Sequence, residues 1–179
     1  MLQLRSKETL DHGDRGWLKA RHHFIVSADG NPANGPLGAL VVWNDDEIAP
    51  GTGFGRHSHS DMEIVTYVRQ GAVTHEDSVG NVGRTVAGDV QVMSAGSGIS
   101  HSEHNRDEAP LKLFQIWLRP RQPGGTPRWD TRKLPKAEIL NWVMAAGMSE
   151  HLTNDWSEYF PAYRTPAGTG TGIAFATWS

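Results

Sequence analysis

No cysteine occurs among the 179 residues. Its absence removes disulfides, zinc–thiolate sites and thiol nucleophiles from the chemistry open to this chain. Also missing is any apolar run near the ~20 residues of a membrane-spanning helix, and the first residues contain no long apolar h-region. A cytoplasmic protein that does not engage membranes is the expectation. Nor is there an excess of positive charge: 17 Lys and Arg stand against 20 Asp and Glu, for a formal charge of -3. Direct nucleic-acid binding is therefore not expected. No long helical pattern precedes residue 135, which argues against a parallel α/β fold. Glycine is abundant at 20 residues, as suits many tight turns. The length allows one domain with a small appendage.

Short β-rich runs separated by turn residues fill the middle of the chain. LGALVVW at 37–43, MEIVTYVR at 62–69 and LKLFQIWL at 111–118 are the strongest strands, with shorter ones at 72–76, 82–86, 90–93 and 99–103. Asn44–Asp46, Gln70-Gly71, Ser78–Asn81 and Ala87–Asp89 read as turns, as does GTGFG at 51–55, which lacks a dinucleotide-binding pattern. The spacing predicts an antiparallel sandwich or barrel from about Leu37 to Leu118. Upstream, a short strand is expected at Leu2–Leu4, an edge strand within Trp17–Ile25 and a loop over Ser27–Pro36. Downstream, Arg119–Arg132 reads as an irregular basic connector, Lys136–Ala146 as a helix and Ile173–Trp178 as a last strand. The expected division is a barrel over 1–120 and a shorter segment over 121–179, packed on that barrel or on a partner subunit. In a homodimer, Trp129, Trp142, Trp156 and Phe160 would cover the partner's sheet; otherwise they close their own barrel.

Two polar pairs stand out, HSH at 57–59 and HSE at 101–103. Residues spaced i, i+2 on a strand share a face. On neighbouring strands His57, His59, His101 and a carboxylate would form a ligand set for one divalent transition metal: Fe(II), Ni, Mn, Co or Zn. Glu63 and Glu103 compete for the carboxylate position. The bland alternative for the first pair is a solvated turn. His22 and His23 are adjacent and face opposite ways, which favours surface or hydrogen-bonding roles. His75 reads as structural, and Asp61 and His104 as facing away or bonding behind the ligands.

At these residues the chain resembles the cupins, and within them the pirin family. Gly51, His57, His59 and Glu63 match the first cupin motif, with Gly71 one residue late. Gly88, Gly96, His101 and Asn105 match the second loosely, with Ser94 in place of proline. FGRHSHSDMEIVTYVRQGAVTHEDSVGN, MSAGSGISHSEHN and APLKLFQIWLRP look like pirin sequence, over about residues 10–133. The resemblance implies an all-β, antiparallel cupin barrel of jelly-roll type with a short C-terminal appendage. Pirins usually carry two barrels, so this chain looks shortened. The family pattern implies His57, His59, His101 and Glu103 as metal ligands, most often of Fe(II). Glu63, the ligand in ordinary cupins, is left as a nearby acid or base, so Glu63 and Glu103 are the candidate catalytic carboxylates. The implied activity is that of a quercetin 2,3-dioxygenase, with a flavonol-type aromatic molecule and dioxygen as substrates. The alternative is a non-enzymatic, metal-binding regulatory protein.

Overall fold

The structure is a computed structural model that describes residues 9–26 and 30–133. The readings at Leu2–Leu4, Lys136–Ala146 and Ile173–Trp178, and those for Trp142, Trp156 and Phe160, lie outside the described residues.

Eleven strands run in order: β1 (Asp11–Asp14), β2 (Leu18–His22), β3 (Leu40–Ile48), β4 (Gly53–His59), β5 (Glu63–Gln70), β6 (Ala72–Asp77), β7 (Val82–Val86), β8 (Asp89–Ser94), β9 (Ile99–His104), β10 (Leu111–Leu118) and β11 (Arg128–Lys133). No α-helix occurs among the described residues. The strands form a seven-stranded sheet, β1-β2-β3-β10-β5-β8-β11, and a four-stranded sheet, β4-β9-β6-β7. All pairings are antiparallel. The all-β reading holds, with the barrel left open as two facing sheets.

Alternation places the core between the sheets. From the larger sheet, Ile48, Val68, Leu111 and Leu113 are fully buried and meet Val73 of the smaller one. Ile64 and Met93 pack on Ile99 in the same way. At about 25 cal/mol per Å² of apolar surface, such burial is the main force holding the sheets together.

Two local readings are corrected. Asn44–Asp46 is not a turn but the middle of β3. It is paired on one side with His22, Arg21 and Ala20 and on the other with Gln115, Phe114 and Leu113. Two ladders of backbone hydrogen bonds outweigh the turn preference of three polar residues. Likewise, the connector after Leu118 is irregular only as far as Pro127. Arg128–Lys133 adds to the sheet as a strand on β8, in register from Arg128 opposite Ser94 to Lys133 opposite Asp89.

Candidate metal centre

The two histidine-bearing strands are neighbours. β4 pairs with β9 so that His57 lies opposite His101 and Phe54 opposite Glu103. The register shifts between Phe54 and His57, where β4 carries one residue more than β9. Phe54 and His57 are three apart and would face opposite ways on a regular strand. The bulge resets the phase, so both line the interior while Gly55 and Arg56 are exposed. Gly53 begins the strand where the backbones touch. A Cβ there would lie 2.2 Å from the Glu103 carbonyl oxygen and 2.6 Å from the His104 Cα. GTGFG is thus a turn only in its first part; from Gly53 it belongs to the ligand-bearing strand.

Donor nitrogens of His57, His59 and His101 lie within 4.8 Å of one another. The ring centroids are 4.4 Å apart for His57 and His101, 4.8 Å for His57 and His59, and 5.1 Å for His59 and His101. His57 Nδ1–H donates to the Gly55 carbonyl at 2.8 Å, which leaves the Nε2 lone pair free. His59 Nε2 and both nitrogens of His101 are buried without a hydrogen-bond partner. Burial, with the His57 ring beside it, pulls the His59 pKa down to about 4. His101 falls to about 3, chiefly through burial and then through His57, His59 and His75, with Asp77 opposing. Both rings are neutral near pH 7 and present lone pairs.

Glu103 is 3% exposed and shares a second trio with His75 and His101, within the same 4.8 Å. It meets His101 but does not join all three histidines in one cluster. Gln115 Nε2 donates to its Oε2 at 2.7 Å, and Gln91 Nε2 donates to its Oε1. Those amides are themselves oriented. Trp117 Nε1–H donates to Gln115 Oε1 at 3.1 Å, while Trp129 Nε1–H and Thr85 Oγ1–H donate to Gln91 Oε1, each at 3.3 Å. With their oxygens engaged, both amides turn NH2 groups toward Glu103. Burial pushes the carboxyl above its usual range, against the pull of His75, Gln115, His57 and Gln91.

His75 is fully buried. Its Nε2–H donates to Asp77 Oδ2 at 3.1 Å, and its ring stacks on Trp129 with centroids 4.9 Å apart. Burial acts to raise the Asp77 pKa, but hydrogen bonds from Asn81, His75 and Val79 outweigh it and hold the carboxylate ionised. Trp129 comes from β11 and lies so close to Gly83 that a Cβ there would be 2.2 Å from its ring.

Glu63 is placed elsewhere. On β5 the inward residues are Ile64, Thr66 and Val68, and Glu63 is out of phase with them. Its Oε1 accepts from Ser94 Oγ at 2.7 Å, and it does not line the cavity described next. Asp61 Oδ1 accepts from the Gly124 backbone N–H, and His104 alternates away from the interior.

The triad opens into a cavity of about 1050 Å³ whose walls include Trp17, Leu18, Phe54, Ile64 and Trp117. Trp117 lies edge-on to His59 at 4.9 Å. His22 faces this space and pairs through Nδ1 with Asn44 Oδ1 at 2.9 Å. Asp46 also lines it, 2% exposed and with Oδ1 unpartnered. Gln91, Gln115 and Asp46 are residues that motif reading passes over. Their signal was phase: Gln115 alternates with Leu111 and Leu113, Gln91 with Met93, and Asp46 with Leu40, Val42 and Ile48. A polar residue at an inward position needs a reason.

A model of the Pirin family matches residues 3–118. A pirin-like protein of Caulobacter vibrioides is 56% identical over 152 residues, covering 84% of this chain and 66% of that protein. A protein of Escherichia coli named quercetin 2,3-dioxygenase is 46% identical over 146 residues, 81% of this chain and 63% of its own length. Among solved structures, the bacterial pirin YhhW of Escherichia coli in complex with nickel(II) matches with a TM-score of 0.72 at 45% identity, covering 75% of this chain and 59% of that one. The chain thus spans less than two thirds of the length of these relatives. With an all-β jelly roll of the cupin type, converging histidines on β4 and β9, and a family match over most of the described residues, the chain belongs to the pirin family.

Proposed function

We propose that this chain holds one divalent transition metal, Fe(II) in its working form, and is a dioxygenase acting on flavonol-like aromatic molecules. The carrying observation is the convergence of His57, His59 and His101 at the wall of a large, aromatic-lined cavity. Buried ring nitrogens without partners at His59 and His101 fit a cation, because such atoms are costly to leave unsatisfied. Neutral imidazoles are suitable donors for first-row divalent ions. Glu103 adds an anionic donor beside His101. The Escherichia coli relatives, one described with nickel(II) and one named for quercetin oxidation, support the same class.

When bound, the ion would act as a Lewis acid toward the adjacent oxygens of a chelating aromatic enol. The residues do the rest. The Gly55 carbonyl fixes the His57 tautomer, and the Ser58–Ser100 contact, 2.6 Å between hydroxyls, ties the two strands on their outer face. Gln115 and Gln91 hold Glu103 in one orientation. Trp117, Phe54 and Trp17 offer flat apolar surfaces to an aromatic ring and exclude water from the oxygens to be polarised.

The test is anaerobic loading with Fe(II), metal analysis and oxygen uptake with quercetin. His57→Ala and His101→Ala should lose the metal and all turnover. Metal retained through the histidines, with no oxygen consumed on any flavonol, would replace this reading with a non-enzymatic metal-binding role.

A further inference from the structure

One carboxyl in the cavity belongs to none of the interactions described for the metal centre. Asp46 projects from β3, on the sheet facing the one that carries the histidines. It is flanked in register by Ala20 and Leu113, both buried and apolar, which offer its side chain no donor. Asn44, the next inward residue on the strand, has its Oδ1 engaged with His22. Asp46 Oδ1 is buried without a partner, and the residue is 2% exposed. Burial, then the charges of Asp45 and Glu103, push its pKa up to about 7 against the pull of Arg69. An inward carboxyl with no structural partner costs folding free energy, and such residues cluster where function compensates for them.

We propose that Asp46 is a substrate-recognition residue that hydrogen-bonds a phenolic hydroxyl, on the wall facing the histidines, and so selects polyhydroxylated aromatics over those bearing only the chelating oxygens. The inference rests on the flavonol reading above and extends it to substrate choice. A carboxyl accepts from an O–H in either protonation state and, when neutral, donates as well. A phenol matches both. An anionic substituent does not, because Asp45 and Glu103 already place negative charge near this wall.

The experiment measures anaerobic binding of quercetin and of 3-hydroxyflavone to the nickel(II)-loaded chain, through quenching of tryptophan fluorescence. Both compounds keep the chelating pair of oxygens; only quercetin carries the additional ring hydroxyls. The wild type should bind quercetin at least about ten-fold more tightly, the worth of one good hydrogen bond. Asp46→Leu should bring the ratio to about one, and Asp46→Ala should do the same where leucine does not fit. Asp46→Asn should keep most of the preference. A second readout separates recognition from support of the fold. Asp46→Leu should raise the melting temperature by about 2–4 °C, since an apolar side chain replaces an unsatisfied carboxyl between Ala20 and Leu113. An unchanged quercetin preference in Asp46→Leu or Asp46→Ala, with both compounds still bound, would overturn this inference alone. A lowered melting temperature in Asp46→Asn would overturn it too, by making the carboxyl structural. A wild-type chain that binds neither compound would overturn the flavonol reading and this one with it.

Discussion

Two glutamates compete for the fourth donor, and their surroundings separate them. Glu103 is buried beside His101 with both oxygens held by amides, while Glu63 bonds Ser94 out of phase with the interior. Glu103→Gln should weaken metal binding by about ten-fold or more, because an anionic donor becomes neutral. Glu63→Gln should leave metal content and turnover unchanged. Titrating each variant with metal in a competition assay checks both. Asp46 allows a prediction of opposite kind. Its folded pKa of about 7 lies above the ordinary 3.8. Between those values the folded state holds a proton that the unfolded state has released, so the Asp46 contribution to stability is full below about 3.8 and is lost as pH rises through 7. The metal-free Asp46→Asn variant lacks this loss. Its stability advantage over wild type should grow from pH 4 to 7, then level off, reaching a few kcal/mol in urea denaturation.

Among the elements, β4 and β9 depend on a close approach at one glycine. Gly53→Ala would drive a methyl group into the Glu103 carbonyl and the His104 backbone, neither of which can move without parting the strands. The expected cost is about 1–3 kcal/mol, with weaker metal binding because His57 and His101 lose their register. Denaturant melts and metal titration of the same variant check the coupling. Strands such as Val82–Val86 and Leu111–Leu118 were legible from sequence, being β-rich runs bounded by turn residues. The middle of β3 was not, because Asn44, Asp45 and Asp46 are turn formers locally and become strand only when β2 and β10 flank them. The β4 bulge was equally hidden, since an extra residue is defined only against its partner strand.

For the whole molecule, the family match ends at residue 118, yet the structure recruits Trp129 from beyond it. The indole stacks on His75 and reaches Gln91, which in turn holds Glu103. Trp129→Ala should destabilise the chain by about 2 kcal/mol or more and loosen Glu103, lowering metal affinity without removing any candidate ligand. Calorimetry with and without metal separates the two effects. Trp129 was one of four aromatics expected either to cover a partner's sheet or to close their own barrel; here it packs on Gly83 and His75 of its own chain, and the other three lie outside the described residues. Light scattering at high micromolar concentration tests the remaining dimer proposal.

The amino-acid sequence alone determined the all-β character, most strand positions and the two i, i+2 pairs, because these depend on alternation and turn chemistry within a few residues of each other. Only the tertiary structure decided which strands became neighbours, and hence that His57 faces His101 across β4 and β9. It also set Glu63 apart from the histidines, bent Gln91 and Gln115 toward Glu103, and left Asp46 unpartnered in the cavity. The physical reason is common to all of these. The partners are 12 to 44 residues apart in the chain where they bond or pair, as for Gln115 with Glu103 and His57 with His101. A contact at that separation is chosen by sheet register and burial, which no local pattern encodes.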